Sequence, residues 1–193
     1  MGTATPDKLI AVTHRALSAR PFLEQIERIA ALKPCALILR EKDLAPDAYE
    51  TLGRKALEIC EGYEVPCFLH GAYLHSAERL SHQLVHMPFS QLSMLAETPG
   101  KLDEYAEISV SCHSLPEVRR AQELGATRIV LGTIFRTDCK PGLEGAGLGF
   151  LREACAATSL PVFAIGGITP EQLPAVLDAG AAGACMMSWF MRA

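Results

Sequence analysis

The chain has 193 residues, 49% hydrophobic and 21% charged, with a formal net charge of −4. That length fits one domain, residues 1–193, able to bury a substantial core. An acidic balance with scattered Lys and Arg (only Arg119 and Arg120 form an adjacent arginine pair) excludes the basic patch of a nucleic-acid binder, and no apolar run reaches the roughly 20 residues of a membrane span.

The first eight residues lack the apolar core of a signal peptide, so a cytoplasmic location is expected. Leu9–Thr13 is the first candidate strand. Ala36–Arg40 is the second, running into Arg40-Glu41-Lys42-Asp43. Two cations at a strand's end suit an anionic substrate, and arginine can grip a carboxylate through two parallel hydrogen bonds. A solvated charged loop is the alternative. From Ala48 to Cys60 the period becomes helical, with Leu52, Ala56, Leu57 and Cys60 on one face.

Cys67–His70 and Leu84–Met87 are the third and fourth strands. His70, His75, His82 and His86 crowd this region. His82 and His86 have the spacing of a helix turn, but His86 belongs to a strand and no paired acids accompany them. No metal site is expected.

Ile108–Cys112 is the fifth strand. His113 follows it directly, and Ser114-Leu115-Pro116-Glu117 then reads as a capping box that opens a helix. A histidine there can take or return a proton near neutrality. It can also merely hydrogen-bond within its loop.

Ile129–Gly132 is the sixth strand, continuing through Thr133-Ile134-Phe135 into the polar stretch Thr137-Asp138-Cys139-Lys140-Pro141-Gly142-Leu143-Glu144-Gly145. Val162–Ile165 is the seventh, ending in Gly166-Gly167, after which Thr169-Pro170-Glu171-Gln172 opens another helix. Glycines here let backbone N–H groups approach an anion that a Cβ would hold away, and the helix start adds partial positive charge. A plain tight turn is the alternative. Ala184–Met187 is the eighth strand, with Ser188 at its end. Gly125 and Gly180 fall where the intervening helices should stop.

Strands alternating with helix-length segments mean βαβ units and a parallel sheet. Eight such units predict a single, compact (β/α)8 TIM barrel, its chemistry at the carboxyl ends of the strands. The chain stops just past the eighth strand, so the last helix must be short or missing. Seven cysteines, at 35, 60, 67, 112, 139, 155 and 185, include no CxxC pair. That spacing argues against a zinc ribbon or redox motif and for reduced thiols in a reducing compartment.

These motifs together resemble the thiamine phosphate synthase superfamily, and within it the thiazole tautomerase (TenI-type) branch. The carriers are Ile38-Leu39-Arg40-Glu41-Lys42, Ser111 to Glu117, Gly132 to Phe135, Thr137 to Lys140, Ala164 to Ile168 and Met187-Ser188. Synthases carry an Asn-Asp pair after the third strand and a Gly-Gln-Glu/Asp-Asp stretch after the fourth, whose acids hold magnesium. Here those places read His70-Gly71 and Pro88-Phe89-Ser90-Gln91, and both aspartate positions are lost.

The resemblance implies a cofactor-independent isomerisation of a carboxylated dihydrothiazole phosphate during thiamin biosynthesis. It implies His113 as the acid/base. Gly166, Gly167, Met187 and Ser188 would hold the phosphate, with Thr137 and Lys140 near it. Arg40 and Lys42 would face the carboxylate or the ring edge, and His70 and Cys139 complete the substrate-binding set. The alternatives are a magnesium-dependent thiamine phosphate synthase and a non-catalytic regulator that binds a phosphorylated ligand. A homodimer is expected if Trp189-Phe190-Met191 leaves apolar surface uncovered.

Overall fold

Every candidate strand is short and almost wholly apolar, the pattern of strands buried on both faces, as in a parallel sheet covered by helices. In a computed structural model, which describes residues 6–137, 142 and 144–192, these runs form eight strands. They are β1 (Leu9–Val12), β2 (Ala36–Leu39), β3 (Cys67–His70), β4 (Leu84–Pro88), β5 (Glu107–Cys112), β6 (Arg128–Gly132), β7 (Val162–Ile165) and β8 (Gly183–Met186). All pair in parallel and in sequence order, and β8 returns to β1 with Met186 opposite Ala11, closing the barrel.

Alternation along each strand divides the core in two. Leu9, Ala11, Leu37, Leu39 and Leu69 point outward under the helices, while Ile10, Val12, Ile38, Phe68 and Val130 fill the barrel. The filling is not purely apolar on the β4–β6 side. His86 and Ser109 are buried there, and the Arg128 guanidinium lies 4.5 Å from the Phe68 ring centroid while pairing with Glu107.

The helices are α1 (Phe22–Ala31), α2 (Pro46–Gly62), α3 (Leu74–Arg79), α4 (Phe89–Ala96), α5 (Leu115–Glu123), α6 (Gly147–Ala156), α7 (Leu173–Asp178) and α8 (Ser188–Arg192). In α2 the buried face is Tyr49, Gly53, Ala56 and Cys60, rotated from the expected one, so Leu52 and Leu57 flank it. Tyr49 explains the rotation. Its hydroxyl donates to the Leu39 carbonyl at 2.7 Å and accepts the His70 N–H at 2.9 Å, tying α2 to the ends of β2 and β3.

Gly125 and Gly180 lie two residues past α5 and α7 at φ +89° and +94°, the left-handed conformation that ends a helix. The last helix is short, five residues, but it is well docked. The Gln25 amide donates to the Phe190 carbonyl at 2.6 Å, and the Ala19 N–H donates to the Met191 carbonyl at 3.0 Å. Phe190 and Met191 are buried, so the apolar surface expected at this terminus reduces to the exposed Trp189. No helix among the described residues is long and apolar enough to cross a membrane.

Candidate active site

The carboxyl ends of the strands surround a cavity of about 820 Å³. After β2, the four charges of Arg40-Glu41-Lys42-Asp43 separate by sign. Glu41 is buried and takes Thr13 Oγ1 at 2.7 Å and the Arg15 N–H at 2.9 Å, while Asp43 pairs with the Arg15 guanidinium at 2.6 Å. Thr13 Oγ1 in turn accepts the Arg40 N–H at 2.9 Å. The acids thereby fix the loop, and Arg40 and Lys42 are left lining the cavity.

His70 and His86 form part of the cavity wall, and both are nearly buried. His70 Nδ1 accepts the Ala72 N–H at 3.1 Å, which puts the proton of the neutral ring on Nε2. His86 Nδ1 lies 2.9 Å from Ser109 Oγ, and its Nε2 lies 2.9 Å from Ser111 Oγ. Burial, reinforced for His70 by the Lys42 and Arg40 charges, pushes its pKa down to about 3. Burial pushes His86 down to about 3 as well, reinforced by His70, Lys42 and Arg40. Both rings are therefore neutral near pH 7.

This has a consequence for stability. An unfolded histidine takes a proton below about pH 6.5, whereas these two resist it until near pH 3. Stability is therefore expected to fall as pH drops from about 6.5 toward 3, by roughly 2 kcal/mol per histidine between pH 6.5 and 5. Urea unfolding at those two pH values should show a smaller loss for His86→Gln than for the unaltered chain. An equal loss in both would show that His86 titrates normally in the fold.

His113 stands at the exposed mouth, one residue past β5. The capping box before α5 forms, but shifted from the expected pairing. Ser114 Oγ accepts the Glu117 N–H at 3.4 Å, while Glu117 Oε2 takes the N–H of His113 at 2.6 Å rather than that of Ser114. The carboxylate thus pins the histidine's own backbone. His113 Nδ1 is bonded to the Gly132 carbonyl, which can only accept. Nδ1 therefore carries the proton, and Nε2 keeps its lone pair for chemistry.

Across the mouth, β7 ends in Gly166 and Gly167, at φ +105° and +64°. A Cβ on Gly167 would stand 2.2 Å from the Arg136 carbonyl oxygen, and one on Gly166 would stand 2.5 Å from Thr133 Cγ2. The Gly166 carbonyl accepts the Phe135 N–H at 3.0 Å. The glycines therefore serve close packing against the chain after β6 as well as any anion. The next helix begins as a single 3-10 turn, Pro170–Gln172, with the Thr169 N–H held by Gln172 Oε1 at 3.0 Å, and continues as α7.

Gly166, Gly167, Met187, Ser188 and Thr137 all line the same cavity as Arg40 and Lys42. Cys139 and Lys140, expected beside the substrate, lie outside the described residues. The sequence reading missed His86, Ser111, Arg136 and Arg192, which also line the cavity. Ser109 and Ser111 sit two apart on β5 and so share one face, the one signal that pointed to a polar interior. Among the described residues no Asp or Glu lines the cavity, and no group of three or more His, Cys, Asp or Glu is placed to hold a metal ion.

The thiamine monophosphate synthase (TMP-TENI) family profile matches residues 9–190. The chain is 28% identical over 184 residues to a protein of Aquifex aeolicus named putative thiamine-phosphate synthase 2, covering 95% of this chain and 97% of that one. It is 32% identical over 176 residues to the thiamine-phosphate synthase of Azoarcus sp. (strain BH72), covering 90% and 84%. The structure of thiamine phosphate pyrophosphorylase from Pyrococcus furiosus superposes with a TM-score of 0.83 at 25% identity, covering 98% of this chain and 90% of that one.

Proposed function

The chain belongs to the thiamine monophosphate synthase family, and from that premise we propose that it is a thiazole tautomerase. Its substrate is a carboxylated dihydrothiazole phosphate with an exocyclic double bond. One ring proton is removed and one proton is added to the exocyclic carbon, so the reaction is an isomerisation that leaves an aromatic ring.

One observation carries this reading. The two positions where synthases place their magnesium-binding aspartates are Gly71 and Gln91, and here they bond to each other, Gln91 Nε2 donating to the Gly71 carbonyl at 2.7 Å. A Cβ on Gly71 would stand 2.4 Å from Gln91 Oε1 and 2.7 Å from Met87 Cβ, so no side chain fits there without rearrangement. A pyrophosphate-bound magnesium takes carboxylate oxygens, and the residues at these positions do not fit one. The described cavity wall has cations and neutral histidines instead.

His113 Nε2 is the base, and its imidazolium returns the proton at the exocyclic carbon. The Gly132 carbonyl, bonded to Nδ1, fixes the ring's tautomer and orientation and so keeps Nε2 available to the substrate. Arg40 and Lys42 hold the carboxylate, whose charge would otherwise oppose the carbanion formed next to it. Gly166 and Gly167, with Met187 and Ser188 opposite, present backbone donors to the phosphate. His70 and His86, held neutral, add polar contacts without competing for the proton.

The names of the relatives favour the transferase more directly than the isomerase. The two readings separate in paired incubations, one with the dihydrothiazole carboxylate phosphate and one with a pyrimidine pyrophosphate plus thiazole phosphate. Aromatisation is expected at an unchanged rate in excess chelator, with no thiamin phosphate from the second mixture. Thiamin phosphate formed only when magnesium is supplied, without aromatisation, would assign the transferase.

A further inference from the structure

We propose that Arg136 and Arg192 form a guanidinium clamp over the glycine cradle that selects the phosphorylated ligand over the free alcohol. The clamp presupposes the thiazole phosphate site described under Proposed function, and it adds two residues of this chain to it.

Each arginine is tied to one wall of that site. Arg136 follows β6, and the 2.2 Å between its carbonyl oxygen and the place of a Gly167 Cβ puts the two backbones in contact. Arg192 closes α8 four residues after Ser188, so the two project from the same helix face. The Met191 N–H donates to the Met187 carbonyl at 3.0 Å, which keeps that turn helical. Both arginines are exposed, and both line the cavity together with Gly166, Gly167 and Ser188.

Neither guanidinium has an acidic partner among the described residues, in contrast to Arg15 and Arg128, which are paired with Asp43 and Glu107. Unpaired cations on the rim of an anion site leave their donors for a ligand. Arginine's planar fork matches two phosphate oxygens at once, which a lysine cannot do. Backbone N–H groups alone would orient a phosphate, while two guanidinia neutralise its second charge. The clamp therefore sets the cost of losing the phosphate from the ligand.

Calorimetric titration with thiazole alcohol phosphate and with the unphosphorylated alcohol tests the clamp without requiring turnover. Arg136→Met and Arg192→Met are each expected to weaken the phosphate ligand by about tenfold, with the alcohol's affinity moving less than twofold. Arg→Lys variants should restore only part of the loss. Melting curves establish that each variant is folded. Should a methionine variant unfold, the salt dependence of the unaltered protein decides, the phosphate's affinity falling more steeply with salt than the alcohol's. Folded variants that keep full phosphate affinity, equal losses for both ligands, or equal salt slopes would overturn the clamp. If the unaltered protein binds the phosphate through these arginines but never aromatises the dihydrothiazole, the tautomerase reading fails and the clamp stands.

Discussion

Replacing His113 by asparagine is expected to slow aromatisation by at least about a hundredfold, the usual cost of removing a positioned acid/base. Asparagine has similar reach and can still bond the Gly132 carbonyl through its amide, so the loop should hold its shape. The Glu117 bond to residue 113 involves only the backbone N–H and survives the change. What disappears is a lone pair able to take a proton and give it back. Steady-state rates, with ligand affinity measured in parallel, check this. Affinity should change little, because the proposed site assigns the phosphate and carboxylate to other residues. A variant turning over near the normal rate would move the base elsewhere, to His70 first. His70 is a poor candidate, since burial and two neighbouring cations keep its pKa near 3.

The second large effect is expected at Gly167. Valine there would bring a Cβ to within 2.2 Å of the Arg136 carbonyl, at a φ of +64° that branched side chains resist. The loop after β7 must shift, and the backbone donors proposed to hold the phosphate move with it. Losing two such charge-assisted bonds is expected to weaken phosphate-ligand binding by about a hundredfold. Stability should also fall, by roughly 1–3 kcal/mol, because the displaced loop packs directly against the chain after β6. Calorimetry and denaturant unfolding on the same variant measure the two separately. Unchanged affinity despite a loss of stability would show that the glycines serve only the packing.

All eight strands were legible as apolar runs because a barrel covered by helices buries both faces of each strand. Short α3 and α4 left no comparable trace, being six and eight residues long. His113, Arg40, Lys42 and the glycine pair were legible as a site because each follows directly on a strand, so strand order alone sends them to one end. His86 and Ser111 were not, since a polar residue inside an apolar run reads as a lapse until the barrel turns that face inward. Arg136 has no local pattern to mark it, and Arg192 is near only Ser188 in sequence. Closure of the barrel is what puts both arginines on the rim of one cavity with Gly166 and Gly167. Glu117 shows the limit of a motif read one pair at a time, because its carboxylate reached one residue beyond the cap it was expected to complete.

Proton transfer at His113 needs no leaving group, and proton NMR of the reaction in D2O follows it atom by atom. With the dihydrothiazole carboxylate phosphate as sole substrate and chelator present, the exocyclic vinyl signal should vanish as an aromatic thiazole forms. The new sp3 carbon should carry solvent-derived deuterium, and His113→Asn should suppress the whole change. A dihydrothiazole spectrum that stays unchanged, beside pyrophosphate release from the pyrimidine and thiazole phosphate mixture, would make the chain a transferase and not a tautomerase.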